Sequence, residues 1–384
     1  MRRFIYFIAG LLSLVACKDL TNTDPEQTDA FIKYYGDSGN TVGNDIKLLS
    51  NGDLLILGVN EDGPDLNTFL LRTDAYGNIQ SGYPKSYSGF RGVSLEVDAN
   101  GYYIIGDRIN SATDSTSMML LITNTSGDST ASILVNAEEL GSTQGFNFHG
   151  TALDISGNVT ALGYTQGGIL TSLYRVGFDL TDNTIAWTQF LADGPTYFPG
   201  NSLVPNSTGH HWVTTRTNSG GTSVVVQVAQ EDQPVGNSDD VAGDDVRQLI
   251  SISGGYAGIG TNDGNVLVFV TDEAGNIIAD SNSSTAIPGS GKSIFEASDG
   301  SIIILYTTQS VEQGQTDNDF IISKTNADAS SIVFSTRVGG SGDEEDGTVI
   351  ESSNGGYLIL GTSTFDGVKS IVLIKTNLEG TLEN

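Results

Sequence analysis

Ile46-Lys47-Leu48-Leu49-Ser50-Asn51-Gly52-Asp53-Leu54-Leu55-Ile56-Leu57-Gly58 and Val349-Ile350-Glu351-Ser352-Ser353-Asn354-Gly355-Gly356-Tyr357-Leu358-Ile359-Leu360-Gly361 are two copies of one pattern from opposite ends of the chain. The match runs on without a gap from Phe69-Leu70-Leu71-Arg72-Thr73-Asp74 to Val372-Leu373-Ile374-Lys375-Thr376-Asn377, and Gly77 falls on Gly380. Each copy reads as a strand, an Asn-Gly turn of the kind that supplies positive φ angles to a tight hairpin, an apolar strand and a third strand.

Weaker copies fill the space between. The turn glycine recurs at Gly52, Gly101, Gly157, Gly209, Gly254, Gly300 and Gly355, a spacing of about 50 residues that suits a four-stranded propeller blade. A second turn follows the third strand at Thr73-Asp74 with Gly77, Thr123-Asn124 with Gly127, Thr271-Asp272 with Gly275 and Thr376-Asn377 with Gly380. There Asp or Asn caps its own turn and Gly takes the left-handed position. The strands, such as Leu54–Leu57, Ile302–Leu305 and Val266–Val270, are continuous apolar runs. Such runs belong to sheets covered on both faces. The expectation is an all-β chain: a single seven-bladed β-propeller with four antiparallel strands per blade. The fourth repeat is the least regular, because His211–Thr217 lacks the terminal glycine.

The last repeat has only three strands before the chain stops. Its missing outer strand is expected at the start, where Phe31-Ile32-Lys33-Tyr34-Tyr35-Gly36 matches Phe334-Ser335-Thr336-Arg337-Val338-Gly339. An N-terminal outer strand would close the ring and remove a sheet edge.

These motifs resemble the propeller repeats of Bacteroidota surface and secreted proteins, whose pattern reads roughly DGGYLILG…KTD-x-GN. The chain lacks the His…Trp-Asp marks of WD40 blades, the double glycines of kelch repeats and the Ser-x-Asp-x-Gly-x-Thr-Trp boxes of sialidases. The start of the chain resembles a bacterial lipoprotein signal. Arg2 and Arg3 precede an apolar stretch from Phe4 to Ala16, too short to span a bilayer, and Leu14-Val15-Ala16-Cys17 resembles a lipobox. The resemblance implies cleavage before Cys17 and lipidation of that residue. Lys18-Asp19 partly matches the signal that sends some lipoproteins of this phylum to the cell surface, with Leu20 departing from it. Expected divisions are a signal peptide at 1–16, a lipidated cysteine and flexible tether at 17–29, and the propeller at 30–384.

Cys17 is the sole cysteine, so disulfides, cysteine metal sites and thiol nucleophiles are excluded. The formal charge of −29 argues against nucleic acid, which requires a basic footprint. It reads most simply as solubility.

Chemistry is sparse. His149 is expected on the channel face, whereas His210 and His211 fall at a second-strand start on the opposite face. No histidine metal cluster and no cofactor are therefore expected. Asp343 and Asp346, within Asp343-Glu344-Glu345-Asp346, are weak oxygen-ligand calcium candidates, as part of an acidic rim with Asp45, Asp244 and Asp245. One constellation stands out: Phe90 with Arg91, Phe146 and Phe148 with His149, and Tyr197 with Phe198 precede three adjacent blades. Exposed aromatics there would form a partner or ligand patch, whereas buried ones would only pack loops. Trp187 and Trp212 fall in strands and read as core. With no catalytic constellation, the chain reads as a non-catalytic binding or scaffold lipoprotein at the outer membrane. It would serve as an accessory subunit of an uptake or secretion assembly, with a protein partner. The alternative is a glycan-binding or glycan-cleaving surface propeller.

Overall fold

The computed structural model describes residues 30–36, 39–62, 66–110, 115–136, 147–156, 158–167, 170–194, 197–205, 211–217, 224–230, 233–241, 243–280, 286–312, 315–340 and 342–382. The expected signal, Cys17 and tether lie outside the described residues, as do Phe146 and His210. Among the described residues every regular element is a strand. After β1 (Phe31–Tyr35), the first repeat supplies β2 (Thr41–Leu48), β3 (Leu54–Asn60), β4 (Asn67–Thr73) and β5 (Lys85–Ser88). The second supplies β6 (Phe90–Val97), β7 (Gly101–Asn110), β8 (Ser115–Asn124) and β9 (Ser129–Val135). The third holds β10 (Asn147–Asp154), β11 (Val159–Gly167), β12 (Leu170–Asp179) and β13 (Thr184–Gly194). The fourth holds β14 (Tyr197–Pro205), β15 (His211–Thr217), β16 (Val224–Gln230) and β17 (Gln233–Val241). The fifth runs through β18 (Asp245–Ile252), β19 (Gly255–Asn262), β20 (Asn265–Asp272) and β21 (Ile277–Asp280). The sixth runs through β22 (Ser290–Glu296), β23 (Ile302–Glu312), β24 (Gln315–Thr325) and β25 (Ile332–Val338). The last has β26 (Asp343–Glu351), β27 (Tyr357–Phe365) and β28 (Val368–Lys375).

The strands form antiparallel sheets in a β-propeller arrangement, but they do not form seven separate sheets. Among the described residues there are six: five of four strands and one of eight. The difference has a local cause. Asn67 in β4 pairs in parallel with Phe90 at the start of β6, so the first two repeats share one hydrogen-bonded sheet.

Closure is visible directly. β1 pairs antiparallel with β28, with Phe31 opposite Lys375 and Tyr35 opposite Ile371. The same strand reaches the first repeat, because the Tyr35 hydroxyl donates to the Gly77 carbonyl at 2.7 Å and Lys33 Nζ donates to Asn78 Oδ1 at 2.6 Å. The N-terminus therefore ties the last repeat to the first.

Alternation along each strand explains the continuous apolar runs. In β3, Leu54 and Ile56 pack with Leu358, Leu360, Ile371 and Leu373 of the last repeat. Leu55 and Leu57 point the other way, against Phe90, Leu95, Tyr102 and Ile104 of the second. Burying both faces leaves no polar positions in the strand. Comparable apolar clusters join each repeat to the next around the ring. The turns follow the sequence at most positions. Gly52 has φ +86°, and Asp74 Oδ1 accepts the amides of Tyr76 and Asn78 at 2.9 and 2.8 Å. Gly101 differs: it begins β7 after a turn capped by Asp98, whose Oδ1 accepts the Asn100 amide at 2.7 Å. Gly157 and Gly209 lie outside the described residues.

Candidate functional site

The first strand of each repeat lines a central channel, and each is interrupted by a register shift. At a bulge two residues face one on the partner strand, which re-aims a side chain. The doubled pairs are Gly43-Asn44, Gly92-Val93, Gly150-Thr151, Val246-Arg247, Gly291-Lys292 and Asp346-Gly347, with a longer irregularity between Pro199 and Leu203. This device explains the glycine that recurs within so many second strands. Gly106 sits opposite the second-repeat bulge, and a Cβ there would overlap the Arg91 carbonyl.

The bulges put Asn44, Val93, Thr151, Arg247, Lys292 and Asp346 on the wall of a channel cavity of about 270 Å³, to which all seven sequence repeats contribute. The residue after the bulge fastens neighbouring repeats. Asp45 Oδ2 accepts the Leu95 amide at 2.8 Å and Ser202 Oγ accepts the Leu249 amide at 2.7 Å. Gln248 Oε1 accepts the Ile294 amide at 2.8 Å, and Ser293 Oγ accepts the Val349 amide at 3.1 Å.

Charge on the wall is mixed, in contrast to the acidic composition. Lys47 Nζ lies 2.9 Å from Glu96 Oε1 and 3.7 Å from Asp45 Oδ2. Burial pushes the Asp45 and Glu96 carboxyls up, and Lys47 works against it. Across the channel Arg247 and Lys292 share Asp346, at 3.7 and 3.6 Å. Burial pulls the Lys292 ammonium down, Asp346 opposes this, and Arg247 adds to it. Asp346 holds its bulge at φ +35°, a region rare for residues other than glycine but tolerated by Asp.

Two of the five expected patch aromatics are withdrawn from the surface, whereas Phe146 and the side chains of Tyr197 and Phe198 lie outside the described residues. Phe90 and Phe148 are buried, 1% and 0% exposed. Phe90 packs between the first and second repeats and Phe148 between the second and third. The reason is where the strands begin: both phenylalanines already lie in β6 and β10, so alternation turns them between sheets and turns Arg91 and His149 outward. Tyr197 and Phe198 open β14. Trp212 is buried as expected, whereas Trp187 is only half-buried, beneath the Arg175 guanidinium at 5.0 Å.

What does assemble around Arg91 and His149 is a polar cluster centred on Asp107, which sequence reasoning missed. Asp107 is buried and accepts from Arg91 Nη2 and from the Gly150 amide at 3.0 Å. His149 Nδ1 is 3.1 Å from the same carboxylate, and its ring stacks on Tyr164 with centroids 5.0 Å apart. The one available signal was an acid directly after the glycine that recurs in the second strands. His211 lies at the opposite end of β10, where its Nε2 is 2.9 Å from Asp154 Oδ2 and its Nδ1 is 3.0 Å from Arg175 Nη1. His149 and His211 thus stay apart.

The calcium candidates are also separated. Asp343 Oδ1 accepts from the amide and Nδ2 of Asn318, both at 2.8 Å, while Asp346 faces the channel cations. Of the other rim acids, Asp45 lines the channel, Asp244 caps the Asp263 amide at 2.8 Å, and Asp245 lies 2.9 Å from Arg247 Nε. Among the described residues no three His, Cys, Asp or Glu side chains come together to hold a metal.

No protein-family model matches the chain, and no curated protein matches it. Solved structures do. YCF48 bound to D1 peptide is similar over 92% of this chain and 99% of its own, with a TM-score of 0.55 at 12% identity. A Dyadobacter fermentans protein of unknown function is similar over 90% of this chain and 97% of its own, with a TM-score of 0.50 at 10% identity. A Trypanosoma rangeli sialidase mutant is similar over 91% of this chain and 59% of its own, with a TM-score of 0.46 at 11% identity. At such identities the likeness extends to the propeller arrangement alone.

Proposed function

We propose that this chain is a binding propeller held at the outer surface of the outer membrane through a lipid on Cys17, and that it offers one end of its channel to a protein partner. The observation that carries this reading is the channel wall. In six of the seven repeats a bulge turns a side chain inward, and in a chain with only 17 lysines and arginines the adjacent bulges place Arg247 and Lys292 together over one shared carboxylate. A polar, mixed-charge wall built by repetition suits recognition of an extended segment. YCF48, the similar structure with a peptide bound, makes a peptide segment the natural class of ligand. The eight-stranded sheet counts as two blades in this reading, since a single bridge at Asn67 and Phe90 joins its halves, which gives a seven-bladed ring. The partner would belong to an uptake or secretion assembly that the propeller serves as an accessory subunit.

The test is co-purification from detergent-solubilised outer membranes with wild type and with Lys292→Glu. A stoichiometric membrane partner retained by wild type and lost with Lys292→Glu, at unchanged melting temperature, supports the reading. Equal recovery with both proteins removes the channel from it, and retention on a glycan array with no protein partner replaces it.

A further inference from the structure

Asp319 on β24 and Glu344 on β26 are each almost wholly buried, 0% and 1% exposed. A Cβ on Gly339, in the connection between the sixth and seventh repeats, would lie 2.8 Å from Glu344 Oε2 and 3.2 Å from Asp319 Oδ1. One oxygen of each carboxyl group thus borders the space that this glycine leaves empty. Their outer oxygens are satisfied: Asp319 Oδ2 accepts from Ser310 Oγ and from Arg337 Nη2, the latter at 2.7 Å, and Glu344 Oε1 accepts from Ser363 Oγ at 2.9 Å. Among the described residues the facing oxygens, Asp319 Oδ1 and Glu344 Oε2, have no well-formed hydrogen bond, the Gly340 amide reaching the Glu344 carboxyl only weakly. Two ionised carboxylates in such a place would repel each other and leave both oxygens desolvated. Arg337 balances one charge, and among the described residues nothing balances the second.

We propose that Glu344 and Asp319 share a single proton, which fastens the sixth repeat to the seventh beside the closing strand and is given up as pH rises past neutrality. With Glu344 protonated, its Oε2 hydroxyl donates to Asp319 Oδ1 and both orphan oxygens are satisfied at once. Burial pushes the Glu344 carboxyl up to about 7; the Ser363 hydroxyl and the Gly340 backbone oppose this, and Asp319 and Asp317 reinforce it. The charged or titratable groups facing the pair are Asp317 on β24, Arg337 on β25 and Tyr34 on β1. The Tyr34 hydroxyl is itself raised by burial and by Glu344, and its ring meets Phe365 edge-on at 5.3 Å. The pair therefore lies where the N-terminal strand closes the ring.

The sign follows from linkage. A carboxyl whose folded value lies above its unfolded one adds stability that is complete below the ordinary carboxylate range and is lost as pH rises through about 7. Asp53, Asp74 and Asp98 have lowered values, so their contributions are lost only on acidification below that window. The experiment is thermal melting of the full chain from about pH 5.5 to about pH 8.5, wild type against Glu344→Gln, whose amide keeps a donor toward Asp319 and does not titrate. The wild type is expected to lose roughly 3–6 °C relative to the variant across this range. Parallel curves overturn the proposal. So does a wild type whose loss at high pH is reversed by millimolar calcium chloride, because the pair would then hold a cation. If the variant does not fold, hydrogen exchange on wild type, corrected for intrinsic rates, decides: β26 and β1 should lose protection at the higher pH while β6 and β10 keep it, and unchanged protection in β26 rejects the shared proton.

Discussion

The joint between the second and third repeats and the joint between the sixth and seventh both bury carboxyl groups, and they handle them differently. At the first, every oxygen of Asp107 has a donor, supplied by Arg91, His149 and the Gly150 amide. At the second, Asp319 and Glu344 each keep one oxygen without a well-formed hydrogen bond among the described residues. Burial costs a carboxylate its water in both places. A joint that supplies donors to both oxygens can keep the charge, and a joint that supplies too few must recruit a proton. The first is therefore a fixed clasp and the second one that responds to pH.

The severest way to break the contrast is to attack closure. Only the later joint stands beside a strand borrowed from the other end of the chain. Deleting residues 30–36 uncovers β28 and removes Tyr35, with Phe31, from a cluster containing Ile371 and Leu373. Large side chains contribute roughly 1.5–3 kcal/mol each, against a total stability of about 5–15 kcal/mol. Melting should fall by more than about 10 °C, with exchange rising first in β26 to β28. An unchanged melting temperature would show that the strand contributes nothing.

Next in size is Asp107→Asn. It leaves the geometry but strips Arg91 of its charge partner, and because Arg91 is partly solvated the cost should be about 2 kcal/mol, read by denaturant unfolding. A neutral result would mean that Asp107 is no clasp. Gly106→Ala sharpens the same joint through the backbone, where a Cβ meets the bulged strand; about 1–3 kcal/mol is expected. The smallest effect belongs to Lys33→Ala, which removes an exposed hydrogen bond to Asn78 and should change stability by less than about 0.5 kcal/mol.

Much of this was legible in the sequence because repetition exposes it. The apolar runs required both faces covered, and Leu54 to Leu57 are packed alternately on two neighbours. The N-terminal strand was identifiable because its copy stands at Phe334–Gly339. What was not legible depends on one-residue register. Phe90 and Phe148 looked like loop aromatics, and a strand start one step earlier turned them into core. The Asn67–Phe90 bridge that merges two sheets leaves no mark in composition. Asp107, Asp319 and Glu344 were hidden among 46 acidic residues, since nothing in a sequence says which carboxylates lose their water.

Site-specific photo-crosslinking in intact cells decides whether the channel wall or the outer rim meets the partner. A photoreactive phenylalanine analogue would replace Asn44 at a channel bulge or Val333 on the outer strand β25, where the side chain is 65% exposed. One discrete adduct is expected from position 44, lost in the Lys292→Glu background, and none from position 333. An adduct from position 333 with position 44 silent would contradict binding at the channel wall.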